Sequence, residues 1–185
     1  MRKKILITGI LVVLLVGLVS ASLLSYYGRI TGTAEVKGPV FYLGSGGELL
    51  INEKPSCGTA GTFDNHEFRV WETEDLGGTD FGYIPTANFY IRARVGEGDE
   101  IPQNLILNFS YEDTNNNKHE ICSTNVEITS TSLDDYGPIS CIGTSAPLNI
   151  EKLRYEIIGD CDACTYTISK CSGEFYTKLE VSLAT

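Results

Sequence analysis

Between Ala87 and Val95 every odd-numbered residue is apolar (Ala87, Phe89, Ile91, Ala93, Val95), while the even positions are Asn88, Tyr90, Arg92 and Arg94. A period of two puts alternate side chains on opposite faces of an extended chain, so this run predicts a strand with one dry face and one wet face. Leu105, Leu107, Phe109 and Tyr111 repeat the pattern, as do Leu179, Val181 and Leu183. Phe68 and Val70, Leu153, Tyr155 and Ile157, and Tyr166 and Ile168 are shorter versions. Turn-forming clusters separate these runs: Gly44-Ser45-Gly46-Gly47, Gly77-Gly78, Gly96-Glu97-Gly98-Asp99, Asn115-Asn116-Asn117 and Asp134-Asp135-Tyr136-Gly137-Pro138. Helical periodicity is nearly absent beyond Tyr27. Many short strands so punctuated predict an all-β chain, an antiparallel sandwich of Ig-like or jelly-roll type.

The N-terminus has a different character. Met1-Arg2-Lys3-Lys4 precedes a charge-free run from Ile5 to Tyr27. A bilayer core takes about 20 apolar residues of helix, and the basic cluster favours the cytoplasmic side. Residues 1–27 therefore read as one apolar helix, either a retained single-span anchor or a signal peptide cut after Val19-Ser20-Ala21. Residues 28–39 read as a linker or donor strand, and 40–185 as an extracytoplasmic sandwich domain. The membrane is a partner through residues 5–27 if the segment is kept.

The net charge is −10, and it becomes −13 once Arg2, Lys3 and Lys4 are set aside. Such an exterior argues against nucleic acid as a partner. All six cysteines, Cys57, Cys122, Cys141, Cys161, Cys164 and Cys171, follow the apolar run. In an oxidising compartment an even set reads as a disulfide framework. Cys122 and Cys141 flank one polar connection and are the first pair expected. Cys171 with Cys161 or Cys164 is the next, which leaves Cys57 for the remaining cysteine. Cys161-Asp162-Ala163-Cys164 precedes a strand-like run rather than a helix, and Asp160 and Asp162 would raise its thiol pKa, so it is not read as a redox motif. No cofactor and no metal site are expected.

Asp113-Thr114-Asn115-Asn116-Asn117 begins like a calcium loop, but Lys118 and Thr124 stand where glycine and glutamate belong. A hairpin turn accounts for it better. Glu72, Glu74, Asp75 and Asp80 form a second acidic stretch, read as a solvated loop. His66 and His119 lie in no nucleophile or zinc-protease motif, and the chain is expected not to be an enzyme. Trp71 with Tyr83 and Tyr90 is a candidate sugar-stacking surface. Asn108-Phe109-Ser110 is an N-glycosylation sequon.

The start Tyr27-Gly28-Arg29-Ile30-Thr31-Gly32-Thr33-Ala34, with Glu35 and Val36 after it, resembles that of small anchored archaeal surface proteins and of TasA/camelysin-type fibre subunits. The resemblance spans roughly residues 1–43. It implies a fibre in which Ile30, Thr31, Gly32, Thr33, Ala34, Glu35 and Val36 complete a neighbouring subunit by strand addition. The expected function is thus a surface protein that associates with itself or with other surface proteins. A tethered glycan- or protein-binding module is the alternative.

Overall fold

A computed structural model describes residues 36–64, 66–79, 83–143 and 149–184. The apolar run 5–27, the candidate strand residues Ile30–Glu35 and Asp80 lie outside them. The described chain forms strands β1 (Val36–Leu43), β2 (Leu49–Ile51), β3 (Thr59–Asp64), β4 (Phe68–Glu72), β5 (Tyr83–Val95), β6 (Gln103–Asp113) and β7 (Lys118–Ile128). These are followed by β8 (Asp134–Ile142), β9 (Ile150–Asp160), β10 (Thr165–Ser169), β11 (Cys171–Ser172), β12 (Phe175–Tyr176) and β13 (Lys178–Ala184).

One sheet runs β2-β1-β13-β5-β10-β3, with β8 on the far side of β5; the other runs β4-β9-β6-β7. The long strand β5 makes this possible. Its first part pairs with β13 and its last with β10, while β8 follows its opposite edge. Every pairing between these strands is antiparallel.

The alternation in the sequence becomes the core. Ala87, Phe89, Ile91, Ala93 and Val95 are fully buried, as are Leu105, Leu107, Phe109, Leu153, Tyr155, Ile157, Tyr166, Ile168 and Leu179. Rings from the two sheets meet in the middle: Phe89 lies 5.2 Å from Tyr155 and Phe41 lies 6.1 Å from Phe109, centroid to centroid. The Tyr166 hydroxyl of β10 donates to the Asn104 carbonyl of the other sheet at 2.7 Å. Gly159, on β9, keeps this crossing open, since a Cβ there would stand 2.8 Å from the Tyr166 ring. The chain is a two-sheet sandwich, as its periodicity predicts.

One strand has the opposite parity from that expected. In β4 the inward residue is Trp71, 2% exposed, whereas Phe68 is 60% exposed and Val70 is half-buried. Phe68 and Val70 share one face and Trp71 the other, so only one set can enter the core. The indole wins by packing beside Tyr155, ring centroids 6.3 Å apart.

All six cysteines are paired, which is the chemistry of an oxidising compartment. Cys122–Cys141 joins β7 to β8 and so ties the two sheets together. The other two pairs differ from expectation. Cys171 bonds Cys57, and Cys161 bonds Cys164. Pairing of β3 with β10 sets Ser169 opposite Thr59 and hydrogen-bonds the Lys170 N–H to the Gly58 carbonyl, which brings Cys57 to Cys171. Cys161 and Cys164 flank the turn between β9 and β10, Cα atoms 6.1 Å apart, well within reach of each other.

Candidate functional site

The sandwich is open along one side. β3 pairs only with β10 and β4 only with β9, so each is the last strand on its side of its sheet. The short connection between them sets the two edges face to face. Just past β4 the Thr73 N–H goes to Leu153 of β9, while the Glu72 N–H goes the other way, to the Gly47 carbonyl at 2.8 Å. By the alternation of an antiparallel ladder, Phe68 and Val70 also turn their N–H and C=O groups away from β9. Among the described residues no strand takes up Phe68 or the Val70 N–H, while Gly47 stands against the Val70 carbonyl and Glu48 bridges Glu72. From β3, the Thr62 carbonyl points into the same gap and accepts the Arg69 guanidinium at 3.0 Å.

A cleft of about 450 Å³ fills this gap, lined by Gly46, Gly47, Ala60, Gly61, Val70 and Trp71, with Phe68 and Arg69 at its rim. Trp71 is its floor. The indole edge that carries Nε1 turns toward Gly61, whose Cβ would lie 3.8 Å from Cζ2, and Nε1 is buried without an acceptor. Gly46 and Gly47 stand at φ of 79° and 97°, in the left-handed region that favours glycine. Lys170, 6% exposed, anchors the loop by donating Nζ to the Ser45 hydroxyl at 2.8 Å.

The same two glycines wall a second cleft of about 590 Å³. Its lining includes Leu49, Leu50 and Ile51 and carries Glu48, Glu53, Glu72, Glu74 and Asp75, with no lysine or arginine in it among the described residues. Arg154 reaches Glu72 at 3.0 Å from the sheet face. At the far end Asp75 hydrogen-bonds Glu151, and this carboxyl neighbour holds the Glu151 pKa above its ordinary value.

Other candidate residues fall elsewhere. Trp71 is buried, so it does not belong to a sugar-stacking surface. Tyr90 lies on the outer face of the larger sheet, where the Lys178 ammonium stands 4.5 Å from its ring centroid and Phe175 packs edge-on at 6.3 Å. Beside it Tyr42 meets Tyr176 at 5.5 Å. This aromatic group seats the β11–β12 hairpin on the sheet and leaves Phe175 and Tyr176 half-exposed. The backbone of Tyr83 begins β5.

Asp113 heads the β6–β7 turn and accepts the Asn115 and Asn117 N–H groups at 2.8 and 2.9 Å, with His119 Nε2 at 3.0 Å. These bonds, that from Asn117 first and that from His119 next, hold its pKa well below the usual carboxylate range. The oxygens that a calcium loop would offer are engaged within the turn itself, which is the hairpin the sequence predicts. Among the described residues no three metal-ligating side chains come together. His66 occupies the turn before β4 at φ 58°. Asn108 sits mid-β6, half-buried, its Nδ2 donating to Glu156 at 3.3 Å. Val36, last of the candidate exchange residues, pairs with Leu183 of its own β13.

No protein-family model and no curated protein matches the sequence. Solved structures do share the fold. A CocE/NonD family hydrolase from Staphylococcus aureus superposes on 83% of this chain with a TM-score of 0.62 and 7% identity. An aminopeptidase from a marine sediment archaeon, Thaumarchaeota archaeon, does so over 83% with a TM-score of 0.62 and 8% identity. The chain spans 38% of the length of each. A CBM22-1 xylan-binding domain from Paenibacillus barcinonensis Xyn10C aligns over 83% of this chain and 100% of its own, at 9% identity and a TM-score of 0.40, a fit too loose to carry an argument. At these identities the likeness is one of fold alone.

Proposed function

We propose that this chain is an extracytoplasmic interaction module that takes an extended polypeptide along the open β3–β4 edge. The observation that carries the reading is the unpaired backbone of Phe68 and the Val70 N–H, facing a cleft. A partner strand would satisfy those groups and cover Phe68, by strand addition. In the self-assembling version the added strand is Ile30–Val36 of another copy, which makes the protein a surface fibre subunit.

Val70→Pro tests the reading. The Val70 N–H points away from β9, so proline there removes an edge donor without breaking the ladder. The probes are fluorescent strand-forming peptides, including one that spans Ile30–Val36, followed by anisotropy. At least one is expected to bind, and Val70→Pro weakens it about tenfold or more, the loss of one or two hydrogen bonds, while near-UV circular dichroism is kept. Binding unchanged by Val70→Pro, or no binding by any peptide, would sink the proposal.

A glycan ligand is the second reading, favoured by the half-exposed rings of Phe175 and Tyr176 beside Lys54 and Lys178. Stacking on such rings is a known mode of recognition. Its check is a glycan array in which a positive signal disappears with Phe175→Ala; a blank array removes this reading.

A further inference from the structure

We infer that the strand taken by the open edge is cationic, with lysine or arginine just beyond its hydrogen-bonded stretch seated among Glu48, Glu53, Glu72, Glu74 and Asp75. The inference rests on the strand-docking reading above and gives the partner its chemistry. A chain paired with Phe68 and Val70 runs straight toward Glu72, where the Gly47 carbonyl closes the edge. Beyond that point it passes over Gly46 and Gly47, which have no side chains to obstruct it and wall both clefts. The next side chains of such a strand then enter the acidic cleft.

That cleft suits a lysine in two ways. Leu49, Leu50 and Ile51 take the aliphatic stem, and the carboxylates take the ammonium. Among the described residues, Glu72 alone of the five has a salt bridge, to Arg154. Arg69 stands at the opposite end of the groove, across the Thr62 carbonyl.

The test uses the full chain and three labelled peptides sharing the repeat Thr-Val-Thr-Val-Thr and ending in Lys-Lys, Ser-Ser or Glu-Glu. At about 50 mM salt, the Lys-Lys peptide is expected to bind about tenfold more tightly than Ser-Ser, with Glu-Glu weakest. This advantage should shrink toward none near 500 mM as screening shortens the reach of the carboxylates. Glu53→Gln combined with Glu74→Gln should bring the Lys-Lys and Ser-Ser affinities together. Equal binding of Lys-Lys and Ser-Ser would overturn the charge inference and leave strand docking standing. Failure of every peptide would overturn both. Stoichiometric binding of calcium chloride, lost in the Glu53/Glu74 double variant, would make the cleft a metal site and overturn the inference. So would polymer that the Lys-Lys peptide does not inhibit and that deletion of residues 30–35 abolishes.

Discussion

Serine at both Cys57 and Cys171 is expected to lower stability by about 5 kcal/mol, more than the loss of either other bridge. The disulfide closes a loop of 114 residues, against 19 for Cys122–Cys141 and 3 for Cys161–Cys164. On the chain-entropy account the three restrict the unfolded chain by about 5, 3 and 1.5 kcal/mol. The two smaller bridges lie inside the large loop and shorten it, which trims the first figure slightly. Urea titration of the three double-serine variants measures the order. The Cys57/Cys171 variant should also show a larger m-value, because its unfolded state expands furthest. A larger loss from the Cys122/Cys141 variant would mean that holding the two sheets together in the folded state outweighs the restriction of the unfolded one.

Trp71→Ala is the second large effect, expected near 3–5 kcal/mol. The indole is 2% exposed, packs against Tyr155 and floors the open cleft. Trp71→Phe separates volume from polarity. It keeps most of the ring and removes an Nε1 that has no acceptor, so it should cost less than about 1.5 kcal/mol. As this is the chain's single tryptophan, the variants are followed by far-UV circular dichroism in urea. If Trp71→Phe costs as much as Trp71→Ala, Nε1 has a partner, such as a bound water, in the folded protein.

The core strands are legible in the sequence because a period of two leaves little choice. β5, β6 and β9 bury the residues that the alternation marks, and β13 buries Leu179 and Val181. β4 is not, since its run Phe68-Arg69-Val70-Trp71 offers apolar residues of both parities. What settles the matter is the space beside Tyr155, a residue more than 80 positions away. Disulfide pairing divides in the same way. Cys122 and Cys141 lie on consecutive strands, and their pairing is local enough to expect. Cys57–Cys171 depends on β3 meeting β10, and no local pattern in either strand encodes that neighbour. The acidic residues from Glu72 to Asp75 are plain in the sequence, but as an isolated stretch. Only the sheet order brings Glu48 and Glu53 to them and leaves the edge of β4 open beside them.

The Cys57–Cys171 bridge also sets a limit on how far this domain can stretch. A chain segment pulled taut gains about 3.4 Å per residue. With Cys57 fixed to Cys171, the 114-residue loop adds no contour length when tension is applied from outside it, so roughly 390 Å of extension is withheld. Only β1, β2 and the turns up to Cys57 on one side, and the chain beyond Cys171 on the other, can pay out. The force path then runs through β1 and β13, which are paired with each other, and passes by the sheet edge at β4. Under tension from outside the loop, the β4 edge would stay folded while the outer strands yield.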